Sequence, residues 1–212
     1  MALNKPFGLS PIMTGDANAY NGRATRYRIP SSDGSAYYVG DAVKSVSGAD
    51  ANGVPNVVKG VGTETAPAGL RGVIVGVENP SVNTVSLQGV VLDQTITSIP
   101  ATKTRDYYVY VADDQGIMFM VQDDGITGGN LVAASANKNF SLTVAAPANT
   151  FQMSASVILS SSFNTTNTLT FKAVGLAQYP SLPGGSANAF GAFAIWVCRI
   201  NEHEFMGNMS GT

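Results

Sequence analysis

Cysteine, histidine and charge are the scarce ingredients of this chain. Its 212 residues include one cysteine, Cys198, so no internal disulfide is available and packing alone must hold the fold. The redox compartment is left open. His203 is the one imidazole that could serve as a base, and no G-x-S-x-G elbow accompanies it, which removes the usual hydrolytic triad. Charged residues make up 12% of the chain, and 12 basic against 14 acidic side chains leave a net charge of -2. That balance supplies no broad attraction for nucleic acid or an anionic membrane. Long apolar runs are missing too: nothing approaches the roughly 18 residues of a membrane span, and the opening MALNKPFGLSPIM lacks an apolar h-region. The expectation is a protein made in a cytoplasm that stays soluble or leaves by a route its sequence does not show. The Asn-x-Ser/Thr triplets at Asn139, Asn164 and Asn208 then read as polar loops rather than glycan sites.

What is present is material for a core and for strands. Hydrophobic residues reach 44% and glycines number 23, with Ser, Thr and Asn filling the polar positions, so the chain is globular with a hydrogen-bonding rather than ionic surface. The densest stretch is residues 106–125, DYYVYVADDQGIMFMVQDDG. Two β-branched and aromatic runs flank a polar turn, which predicts a β-hairpin pairing Tyr107 with Val121, Val109 with Phe119 and Val111 with Ile117. That face is core; the opposite one presents Tyr108, Tyr110, Met118 and Met120, apolar in body and adaptable, suited to another layer of the chain or to a partner.

Residues 1–25 mix Pro6, Gly8, Pro11, Gly15 and Gly22 with the isolated anchors Phe7, Leu9, Ile12 and Met13, a spacing that fits neither helix nor strand. They read as an extended arm that drops its anchors into surface pockets, followed by a β-rich body over 26–212 with a subdivision near 125–136 as an option. Strands are expected at 25–30, at 36–46 with a bulge at Gly40-Asp41, and at 54–59 after the tight turn 49–53. In 70–77, LRGVIVGV, Gly72 and Gly76 suggest close backbone approach or strong curvature, as small closed barrels require. Residues 131–149 allow a short helix, an edge strand or an irregular loop. Alternation returns at 151–159 and 168–174 around the turn 164–167, and 192–200, AFAIWVCRI, is apolar on both faces and reads as a central strand covered on both sides. No segment carries an apolar helical face over ten or more residues, and no repeat has a fixed period. The class is mainly β: a compact barrel, jelly-roll-like or sandwich body with an extended N-terminal arm.

Chemistry is thinly represented. Asn-Glu-His-Glu around His203 is a poor zinc set, and the histidine is expected at the surface or an interface. Asp113-Asp114 and Asp123-Asp124 sit where turns are expected, and no EF-hand spacing supports calcium. Gly60-Val61-Gly62-Thr63 lacks the rest of a phosphate loop. Arg23, Arg26 and Arg28 with Tyr20 and Tyr27 form the one basic, aromatic cluster; strand arginines more often pair with acidic neighbours, here on another subunit, than grip nucleic acid. Cys198, beside Trp196, reads as a small buried hydrophobe. No cofactor, metal or catalytic set is indicated, and no carboxylate pair is singled out for glycoside hydrolysis.

The segments Tyr27-Arg28-Ile29-Pro30, Tyr38-Val39-Gly40-Asp41-Ala42-Val43-Lys44, Gly53-Val54-Pro55, Arg71-Gly72-Val73-Ile74-Val75-Gly76-Val77, 106–114 and Trp196-Val197-Cys198-Arg199-Ile200-Asn201-Glu202-His203 occur in this order. Together they resemble a family of tailed-bacteriophage head decoration, or cement, proteins made alongside the major capsid protein. The resemblance runs from Phe7-Gly8-Leu9 to near His203 and is poorest over 131–166. It implies a non-enzymatic virion protein on the outer capsid surface that bridges major capsid subunits against internal pressure. It also implies association with itself as a dimer or trimer, of which the dimer is expected because isologous pairing is the commonest closed arrangement; the charge balance speaks against nucleic acid and membrane as partners. The expected contact residues are Phe7, Leu9, Ile12, Met13, Arg23, Arg26, Arg28, Tyr108, Tyr110, Met118 and Met120. The rivals are a tail or adhesin component that binds host polysaccharide, which calls for exposed aromatics along a groove, and a glycan hydrolase.

Overall fold

A computed structural model describes residues 4–63, 69–78, 97–126, 132–147, 153–178 and 187–206. Among the described residues, fourteen strands and two single-turn 3-10 segments make the fold mainly β. Five strands close a barrel in the order β2-β5-β4-β6-β8: β2 (Thr25–Ile29), β4 (Ala42–Ala49), β5 (Pro55–Lys59), β6 (Gly72–Val77) and β8 (Tyr107–Ala112). The predicted hairpin between β4 and β5 forms, and Asp50 Oδ1 accepts the Asn52 and Val54 N–H groups in its turn. Closure runs through a single parallel position, Arg28 opposite Asn56, where β2 meets β5. Alternate residues point inward, so Tyr27, Ile29, Val43, Val57, Ile74, Val77, Val109 and Val111 fill the barrel. A two-stranded ladder of β3 (Tyr37–Tyr38) and β7 (Ser98–Ile99) adds Tyr37 and Ile99 to that core. Gly72 is what lets β6 cross β8 closely, because a Cβ there would overlap the Ala112 carbonyl oxygen.

A five-stranded antiparallel sheet packs on the barrel in the order β1-β9-β14-β13-β10. Its strands are β1 (Ser10–Met13), β9 (Met118–Gln122), β14 (Ile195–Ile200), β13 (Phe171–Leu176) and β10 (Asn139–Phe140). Beneath it lies a short ladder of β11 (Leu142–Thr143) and β12 (Val157–Ile158), with 3-10 turns at Ala133–Ser135 and Ser160–Ser162. Phe119, Val121, Phe140, Phe171, Trp196, Cys198 and Ile200 form a second core that also takes in Ala42, Val73 and Ala112 from the barrel wall. The residues after β14 return to the barrel, where the Leu70 N–H donates to the Glu202 carbonyl and the Leu70 carbonyl accepts the Glu204 N–H, on either side of His203.

Several expectations are corrected. The two runs of 106–125 do not pair with each other: β8 lies between β2 and β6, while β9 lies between β1 and β14. The turn itself is tight, with Ile117 N–H donating to the Asp114 carbonyl, yet it carries the chain from barrel to sheet rather than back on itself. Alternation specifies which face a strand buries, and two edges of other strands met that requirement better than the partner next in sequence. The same holds for 151–159 and 168–174, since β12 pairs with β11 and β13 with β14. β14 is central in its sheet, as expected, but covered on one side only: Trp196, Cys198 and Ile200 are buried, Ile195 and Val197 are half-buried and Arg199 is exposed. The N-terminal segment does contain a strand, and it docks on its own body. Pro11 sits on the sheet edge, the one place where a residue without an N–H costs no ladder bond. Among the described residues no helix is long and apolar enough to cross a membrane. Asn208 lies outside the described residues.

Candidate interaction surface

The structure divides the eleven expected contact residues into separate groups. Leu9 is 2% exposed and belongs to the second core, so it is an internal anchor rather than a contact. Phe7 and Ile12 are half-buried on the same docked segment. Arg23 is exposed on the loop after β1, and its N–H donates to Asn21 Oδ1.

Arg26, Arg28, Tyr108 and Tyr110 meet on the barrel exterior, because β2 and β8 register Arg26 opposite Tyr110 and Arg28 opposite Tyr108. The polar groups of Arg26, Arg28 and Tyr108 are satisfied within the chain, whereas the buried Tyr110 hydroxyl has no hydrogen-bond partner among the described residues. The Arg26 guanidinium forks onto Glu78 at 2.7 and 3.1 Å and lies 3.7 Å over the Tyr108 ring. Hydrogen bonding to Glu78 raises the Arg26 pKa further against an opposing effect of burial. Arg28 donates to Asp106 at 2.8 Å, to Asn56 Oδ1 at 3.2 Å and to the Ala49 carbonyl at 3.2 Å, which ties the parallel seam of the barrel together. Burial pulls the Asp106 pKa upward, but the Ser31 N–H and Arg28 outweigh it and hold the carboxyl below its usual range. Tyr108 donates to Asp50 Oδ2 at 2.7 Å. Arg26 and Arg28 are thus neutralised inside one chain and act mainly as fasteners.

The other group is Met13, Met118 and Met120, and it belongs to a larger surface. On the side of the five-stranded sheet away from the core, one cross-strand row runs Met13, Met118, Arg199, Lys172 and the next runs Ser10, Met120, Val197, Gly175. Val174, at the bulge in β13, is 40% exposed beside them, and Ile195 is half-buried. This face is apolar and flexible along one half, with methionines that adapt to whatever covers them. Along the other half two cations stand directly opposite each other, Lys172 on β13 and Arg199 on β14, and neither has an ion pair among the described residues. Like charges at directly opposed strand positions are destabilising. Sequence reasoning found the methionines and missed Val174, Val197, Lys172 and Arg199. Alternation along FKAVGL already separates Lys172 and Val174 from the buried Phe171 and Ala173, but only the register brings Lys172 to Arg199.

The remaining candidates are structural. His203 is 1% exposed, not superficial: its Nδ1 accepts the Phe205 N–H at 3.0 Å, and desolvation pushes its pKa down despite the nearby Glu204 carboxylate. Glu204 instead accepts from the Ser45 N–H and hydroxyl, both at 2.6 Å, and lies 3.5 Å from Arg71. Asp114 and Asp123 accept the N–H groups of Gly116 and Gly125 two residues on, the turn role expected of them. Cys198 is fully buried, and desolvation pushes its thiol pKa far up. Among the described residues no group of three or more His, Cys, Asp or Glu could hold a metal ion. No family model, curated protein or solved structure matches the chain.

Proposed function

We propose that the chain is a non-enzymatic structural protein of a phage head, which lays the outer face of its five-stranded sheet on an acidic, partly apolar surface of the major capsid protein and so cements neighbouring subunits. The observation that carries this reading is the Lys172–Arg199 opposition beside Met118, Met120, Val174 and Val197. An isolated protein gains nothing from two facing cations at the edge of an apolar face. A partner carboxylate between them removes the repulsion, and the methionines and valines supply area at about 25 cal/mol per Å². The resemblance noted above supports the choice of partner. A stable contact needs about 800 Å² from each side.

The test is co-sedimentation with expanded, undecorated shells of the encoding phage, titrated to saturation. Saturable binding is expected at a fixed ratio to the capsid subunit, and that ratio also reports whether the protein binds as a monomer, dimer or trimer. Lys172→Glu separates function from folding. It places opposite charges across the strands, so stability should rise by about 0.2–1 kcal/mol, while shell affinity falls at least several-fold and loses part of its salt dependence. Unchanged shell binding by Lys172→Glu and by Met120→Asp would remove this face from the contact, and absence of saturable binding by the native chain would remove the capsid reading itself.

A further inference from the structure

A cleft of about 630 Å³ opens between the loop 14–23 and the turn that leaves β8, lined by Asp16, Asn18, Tyr20, Arg23, Asp114, Phe205 and neighbouring residues. It contains none of the sheet-face residues invoked above. Its walls are built before any ligand arrives. The Asn18 carbonyl accepts the Thr14 N–H at 2.9 Å, the Tyr20 N–H donates to the Ile12 carbonyl at 3.0 Å, and the Tyr20 hydroxyl donates to the Arg23 carbonyl at 2.8 Å. Gly15 meets Gly116 with no room for a side chain on Gly116, which locks the loop to the turn.

Phe205 is the unusual member. An aromatic ring 52% exposed is costly to leave in water, yet this one is held in place: the Arg71 guanidinium lies 3.9 Å over it and the His203 ring centre is 5.4 Å away. Arg71 is itself fixed by Tyr27 at 2.6 Å and by Glu204. A ring backed from within by a paired guanidinium presents its open side to the cleft as a rigid platform.

The lining decides what would sit there. Asp16, Asp113 and Asp114 outnumber Arg23, so phosphate and other anions are disfavoured. Asp113 is already occupied by the Thr25 and Tyr27 hydroxyls and Asp114 Oδ1 by the Gly116 N–H, which leaves Asp16 and the second oxygen of Asp114 as acceptors. The amides of Asn18, Asn21 and Gln115 and the Arg23 guanidinium add donors. An apolar ligand would strand these groups without partners. Neutral polyols match them, since each hydroxyl both donates and accepts, and the C–H face of a sugar ring covers Phe205. The volume lies within the roughly 300–1,000 Å³ of small-molecule sites.

We propose that this cleft is a binding site for neutral saccharides, with Phe205 as the stacking platform and Asp16, Asn18 and Asp114 as the hydroxyl-binding groups. The inference is independent of the capsid reading. The test is an array of neutral bacterial surface glycans with sialylated and phosphorylated glycans as the charged arm, followed by NMR titration of the best ligand against the full chain. Saturable binding to neutral members is expected, with at least a tenfold loss in Phe205→Leu and in Asn18→Ala. Asn18 is exposed, so that variant leaves the fold intact, and Lys172→Glu should bind glycans as the native chain does. No saturable binding to the neutral arm, preference for the charged arm, or full affinity in both cleft variants would overturn the proposal.

Discussion

His203 is buried as the neutral imidazole, and that makes its proton a stability effect. Desolvation lowers its pKa below the ordinary 6.5, with Arg71 pushing the same way and Glu204, Asp113 and Asp114 opposing. In the unfolded chain the imidazole regains its ordinary affinity, so on acidification the unfolded state takes up a proton first. His203 therefore contributes stability that is fully present above about pH 6.5 and is lost as pH falls through the lower, folded-state pKa. The denaturant midpoint is expected to drop between pH 7.5 and pH 5.5 in the native chain and to drop less in His203→Gln. An equal slope in both proteins would show that other groups carry the acid sensitivity. The burial itself was hidden in the sequence, where Asn-Glu-His-Glu reads as a polar surface run. What buries the ring is the return of residues 202–204 to Leu70, a long-range backbone pairing with no local signal.

At the scale of the element, β1 shows where local pattern stops being informative. Pro and Gly around Phe7-Gly8-Leu9 erase the period-2 signature, yet Leu9 lies in the core and Ser10, Pro11 and Met13 register with β9. Leu9→Ala is expected to cost about 2–5 kcal/mol, the usual range for a core leucine, and Phe7→Ala distinctly less, with chemical denaturation as the measurement. Equal small losses would mean that the segment is only loosely attached, and the arm would return as a contact element. Deleting residues 1–20 would strip β9 of its edge neighbour and the core of Leu9, so that variant would report on folding as well as on contact. Strand positions were largely legible: β2, β5, β6, β8, β9 and β14 fall within stretches that alternate or run β-branched, and β4 and β13 overlap theirs but run two or three residues past the expected ends. The close approach at Gly72 was legible too, since glycine inside LRGVIVGV has few other uses. Pairing partners were not. The Val109 and Phe119 runs suit each other as well as they suit Tyr27 and Cys198, and nothing local chooses between those ladders. The candidate sheet face inherits that blindness, because it exists only through register.

At the scale of the whole molecule, the barrel and the sheet are two cores but not two independent units. Neighbouring residues on three barrel strands point in opposite directions: Val43, Ile74 and Val111 into the barrel, Ala42, Val73 and Ala112 into the core under the sheet. Unfolding the sheet would expose one side of the barrel wall, and opening the barrel would remove the floor of the sheet. Coupling of this kind predicts one cooperative transition rather than two. The chain carries its own reporters, since Trp196 is buried in the sheet core whereas Tyr27 and Tyr37 are buried in the barrel. Tryptophan fluorescence and near-ultraviolet tyrosine dichroism should give superimposable thermal and denaturant curves, and Leu9→Ala, placed in the sheet core, should shift both together. If the tryptophan signal moved alone, the shared wall would be too thin to couple the halves. The sheet face with Lys172 and Arg199 could then loosen while the barrel stayed folded. A single transition instead ties the methionine-lined sheet face and the cleft beside Phe205 to one folding equilibrium, so a variant that loses binding at either without shifting the midpoint has acted on binding alone.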